Sequence, residues 1–149
     1  MWVRTYHRNY RVSAGQLMQC RQLLRGNQQP VATLQDDLDL HARAAHEAIK
    51  RTDQEMRDVL LKQKAASFEH KGWGRKVWLT KAEEEKTQHW VGLLQPLFDQ
   101  LFSAIESHKL GRAPDLVEDM ITILIEADDW AMHLYCQHCE KETAIDPHR

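Results

Sequence analysis

Apolar positions recur along this chain at spacings of three and four residues, the period of helices buried on one side. The clearest stripe is Val91, Leu94, Phe98, Leu101 and Ile105, widened by Leu93, Leu97 and Phe102. Thr80 and Glu83 precede it as a capping box, and Glu84 and Glu85 suit the positive end of a helix. Pro96 removes one helix hydrogen bond; because the stripe continues in phase past it, a kink is expected rather than an end. A longer stripe falls at positions 34, 38, 41, 45, 49, 52, 56 and 59. It predicts a helix over about 31–68, with Pro30 at its first turn.

Two more helices complete the pattern. Ser13 and Gln16 read as a capping box, and Leu17, Cys20 and Leu24 follow in helical spacing. A short helix over about 14–25 is expected, closed by Gly26 and Asn27. Gly111 and Pro114 then separate the third helix from a fourth. Leu116, Val117, Met120, Ile121, Ile123, Leu124 and Ile125 are apolar almost all round, which predicts a helix at the centre of the fold. This helix should run to about Lys141, leaving residues 143–149 as a frayed tail. Residues 1–12 fit neither strand nor helix and read as an arm. Gly72 and Gly74 make the stretch from His70 to Leu79 a loop. Short connections imply antiparallel neighbours. The expectation is therefore an all-α, single-domain antiparallel bundle of about four helices: one short and N-terminal, three long, the last one central.

At 149 residues the chain is long enough for one domain with a real core. Its composition is that of a globular protein, with 42% hydrophobic and 28% charged residues. No run of about 18 apolar residues is present, so no membrane span is expected. The N-terminal MWVRTYHRNYRV lacks the apolar region of a secretory signal. Three cysteines, Cys20, Cys136 and Cys139, are too few for a disulfide framework. A cytoplasmic address follows as the expectation.

The formal net charge of −2 hides a polarity. Residues 1–76 hold 14 Lys/Arg against 8 Asp/Glu, and residues 77–149 hold 6 against 14. Such a split marks either an intermolecular contact or two halves that neutralise each other across the bundle. Aromatic and basic residues alternate in two places. The arm holds Trp2, Arg4, Tyr6, Arg8, Tyr10 and Arg11; the loop holds Lys71, Trp73, Arg75 and Lys76, with Trp78 beside them. Trp, Tyr and Arg are the residue types that anchor protein interfaces. The same types stack on bases and neutralise phosphates, so single-stranded nucleic acid is the alternative ligand. The bland alternative has the tryptophans anchoring the loop and the bases in water.

A third candidate is the run WAMHLYCQHCEK. Cys136 and Cys139 have the spacing of half a zinc site, with His133 on the same helical side and His148 as a conceivable fourth ligand. The second half-site is missing, and two buried inert cysteines near a helix end would look the same. The acidic residues Asp115, Glu118, Asp119, Glu126, Asp128 and Asp129 read best as a solvated face. No Glu-x2-His occurs, which argues against a di-iron centre, and neither a phosphate loop nor a nucleophile elbow is present. No cofactor other than that zinc is expected. These features point to a non-enzymatic helical interaction protein, a subunit, adaptor or inhibitor of a larger protein or nucleoprotein machine. Direct nucleic-acid binding and a zinc-stabilised regulatory protein are the alternatives. The apolar width of the last two helices exceeds what a small core uses, so self-association is also expected.

Overall fold

The computed structural model describes the backbone of residues 2–26, 30–69 and 81–145, and the side chains of residues 8–26, 30–62, 64 and 81–134. The described backbone forms four helices: α1 (Trp2–Gly26), α2 (Val31–Glu69), α3 (Lys81–Glu106) and α4 (Ala113–Ile145). Each helix packs against two others, in the cyclic order α1, α2, α3, α4 and back to α1. Between α1 and α2 the pairs are Asn9 with Glu55, Ser13 with Ala45, Gln16 with His41 and Cys20 with Leu38. Numbers rise on one helix as they fall on the other, so the two are antiparallel. Gln35 with Ile105 and His46 with Gln95 give the same sense to α2 and α3.

Apolar residues from all four helices fill the centre. α1 gives Tyr10, Leu17 and Cys20; α3 gives Trp90, Leu94, Phe98, Leu101 and Ile105. α2 contributes small residues, Ala42, Ala45 and Ala48, beside Leu38, Ile49 and Met56. Small side chains let neighbouring backbones approach. Ser13 uses this closeness to donate its hydroxyl to the Ala45 carbonyl at 2.9 Å. The stripes expected on α2 and α3 are the buried ones, with His41, Val59 and Val91 half-buried at their margins; of the residues expected to widen the α3 stripe, Leu97 and Phe102 are half-buried but Leu93 is exposed.

Five expectations need correction. α1 begins at Trp2, so residues 2–12 are its first turns rather than an arm, and the first helix is not short: its 25 residues match the 26 of α3. Ser13 is buried inside α1 and bonds across to α2, so it caps nothing. α4 is not central but one of four peripheral helices, with Thr122, Ile125 and Met132 exposed. It continues through Ile145, so residues 143–145 of the supposed tail are helical; 146–149 lie outside the described residues.

α3 ends before Gly111. The His108 amide donates to the Ile105 carbonyl at 3.3 Å, and the Lys109 amide to Ala104 at 3.0 Å. His108 sits between them in the left-handed region, with φ 58°. This is a Schellman closure in which histidine holds the place glycine usually takes. Gly111 lies in the linker beyond it. α4 starts with Pro114 in its first turn and Asp115 near the positive end of the helix.

Candidate interaction surface

Alternating directions bring four helix ends to one pole. There α1 begins at Trp2, α2 ends at Glu69, α3 begins at Lys81 and α4 ends at Ile145. Antiparallel pairing of Asn9 with Glu55 fixes the register, and α2, at 39 residues, is much the longer helix. The connection carrying Lys71, Trp73, Arg75 and Lys76 leaves and enters the bundle at this pole. Those four residues lie outside the described residues. Trp2, Arg4 and Tyr6 are placed in the first turns of α1, and their side chains lie outside the described ones.

α1 carries five arginines and no acidic residue. Arg8 and Arg11 are exposed. Arg8 is close enough to Glu55 to favour its ionised form, as does the amide that Asn9 donates at 3.3 Å. Partial burial acts against both and more strongly, so the Glu55 carboxyl titrates above its usual range. Tyr10 does not join this surface. It is 0% exposed and points into the core, where burial pushes its phenol above the usual range; the nearby Thr87 hydroxyl donates to the Glu83 carbonyl at 2.9 Å rather than to the phenol. The phenol hydroxyl and the Trp90 indole Nε1 are both buried without a hydrogen-bond partner among the described residues.

The charge polarity is in part internal. Arg21 and Arg25 of α1 reach Glu118 of α4 at 3.4 and 3.5 Å. Arg25 is largely exposed and Arg21 and Glu118 are half-buried, so each pair stabilises by about 1 kcal/mol at most. Glu118 is therefore not a free member of the acidic face, which continues in exposed Asp115, Asp119, Glu126 and Asp129.

At the opposite pole an open groove of about 580 Å³ runs between α3 and α4, lined by Asp99, Ser103, Ser107, Lys109, Arg112 and Leu116 among others. Its charges are mixed, and Ser107 donates its hydroxyl to the Ser103 carbonyl at 2.8 Å. Two histidines of α2 make contacts between helices. His41 bonds Gln16 at 2.7 Å, and His46 lies against Phe98 and Phe102 at 5.0 and 5.5 Å between ring centres. Arg43 lies over the Phe102 ring at 5.8 Å.

Among the described residues no group of three or more His, Cys, Asp or Glu side chains could hold a metal ion. His133 is exposed on α4, whereas the side chains of Cys136 and Cys139, and all of His148, lie outside the described residues. The helix places positions 133, 136 and 139 at the same pole as the start of α1. No described helix is long and apolar enough to cross a membrane. No protein family matches this chain, and no curated protein or solved structure is similar to it.

Proposed function

We propose that this chain is a non-enzymatic helical interaction protein, which binds a larger protein or nucleoprotein assembly through the pole where α1 begins. The observation that carries this reading is the character of α1: a helix whose charged residues are all basic, with Arg8 and Arg11 exposed on the half of α1 nearer this pole. Aromatic side chains at such a surface supply affinity, and exposed arginines supply steering and orientation.

The test is affinity capture with the full chain as bait, beside an Arg4→Glu/Arg8→Glu variant. A protein that binds the wild type, binds again after purification, and is lost with the variant is the expected result. The variant should keep the wild-type melting temperature, because Arg8 is exposed and contributes no core packing. Equal binding by the folded variant removes this pole as the interface.

A further inference from the structure

We infer that the flank formed by α1 and α4 is the docking surface for a second copy of this chain, related by a two-fold axis parallel to the helices. Helical spacing sorts the exposed positions of both helices. Ser13, Gln16 and Cys20 mark the side of α1 that meets α2, and Arg21 and Arg25 mark the side that meets α4. Arg8, Arg11, Gly15, Met18 and Gln22 lie on the outer α4 side. On α4, Glu118, Ile125 and Met132 recur every seven residues along the matching outer edge, with Asp129 next to them. Ile125 is 49% exposed and Met132 37%. The Arg21 and Arg25 pairs to Glu118 set the register, which puts Gly15 level with Ile125 and Arg11 level with Asp129.

Shape and charge together select the occupant. A Cβ added to Gly15 would meet nothing within 4 Å, so this position is an open notch in the flank. Ile125 is the knob at the same height. One half of the flank is all-basic and the other carries the acidic groups, so the flank is complementary to itself. A two-fold axis along the bundle lays α1 over the partner's α4. Ile125 then enters the notch at the partner's Gly15, and Arg11 meets the partner's Asp129. An axis across the helices would instead lay α1 on α1, arginine against arginine. Paired helices of about 38 Å by about 20 Å offer about 750 Å² per copy, close to what a standard stable interface buries on each side. The strip of Val12, Leu23 and Leu40 on the α1/α2 flank is apolar too, but α2 carries both signs of charge there and no partner is specified.

This inference does not rest on the proposed function, although the two surfaces share Arg8 and Arg11; Gly15 and Asp129 belong to the flank alone, so substitutions there separate the two. The test is sedimentation velocity of the full chain from about 1 to about 100 µM, a range that spans weak and moderate dimers. A dimer is expected. Gly15→Gln fills the notch and should weaken that dimer at least about tenfold, while its melting temperature stays the same or rises because glycine is a poor helix residue. Arg11→Glu should weaken it similarly, and Arg11→Glu/Asp129→Arg should restore it, because the swap re-forms the pair with reversed sign. A monomer at every concentration overturns the inference. So does a dimer that neither Gly15→Gln nor Arg11→Glu affects, or one that the charge swap fails to restore.

Discussion

Replacing Tyr10 by alanine and by phenylalanine separates two accounts of the first twelve residues. In a solvated arm neither change would matter to stability. In the structure Tyr10 is 0% exposed and is among the largest fully buried side chains. Tyr10→Ala removes the ring and leaves a cavity in the core that Tyr10 shares with residues of all four helices. Truncating a buried aromatic costs about 3–5 kcal/mol. For a chain of this size that is a fall of roughly 10–15 °C in melting temperature, at about 3 °C per kcal/mol. Tyr10→Phe keeps the ring and removes only the hydroxyl, which is buried with no hydrogen-bond partner among the described residues. A buried unsatisfied hydroxyl costs about 1–3 kcal/mol, so its removal should be neutral or stabilising. Urea denaturation followed by circular dichroism reads both values. A loss below about 1 kcal/mol for Tyr10→Ala would refute the packing of α1 described above. A loss above about 2 kcal/mol for Tyr10→Phe would show that a water or another group satisfies the hydroxyl.

Three smaller predictions follow from other sites. The Glu55 carboxyl is raised chiefly by burial, so its ionised form disfavours the fold: its contribution is fully present below the unfolded pKa and is lost as pH rises through the folded one. Glu55→Gln should therefore raise stability at pH 7 and flatten the pH dependence in the mildly acidic range, as melting curves across that range would show. Cys20 is buried, and burial pushes its thiol up to about 12. In a Cys136→Ser/Cys139→Ser background it should resist alkylation at pH 8 until the protein unfolds; prompt labelling under native conditions would contradict its placement. His108 holds a left-handed conformation at the end of α3, so His108→Gly should raise stability by about 1 kcal/mol, measured by denaturant titration.

The two middle helices were legible because their burial follows a single stripe. Leu94, Phe98, Leu101 and Ile105 are apolar, three or four apart and all buried, so pattern and packing agree. α1 was legible only from about residue 14 onward, for two physical reasons. Its first turns use aromatic and basic residues, whose helix propensity does not announce a helix. Ser13 then reads as a cap, whereas small-residue packing against α2 lets its hydroxyl bond to Ala45 inside the core. The spacing Tyr6, Tyr10, Ser13, Leu17 is nonetheless helical and was the signal available. α4 misleads in the opposite direction. Its apolar run suggests a central helix, but Ile125 faces outward and the burial is confined to the side that meets α1 and α3. The end of α3 at His108 depends on a backbone conformation that histidine does not advertise.

The candidate surface divides along similar lines. Arg8 and Arg11 are exposed as expected, because arginines on the outer turns of a helix have water on one side. Tyr10 is not, because its position in the repeat turns it inward. Charge polarity is legible from composition alone, but that part of it closes within one chain through Arg21, Arg25 and Glu118 depends on which helices become neighbours.

Fluorescence anisotropy of labelled single- and double-stranded DNA and RNA, titrated with this protein at low and at physiological salt, tests the central claim most directly. A protein partner bound at the basic pole requires no tight nucleic-acid binding at physiological salt, and that is the predicted result. Tight binding that falls steeply with salt, as counterion release from phosphates demands, would contradict the claim and make nucleic acid the ligand of α1.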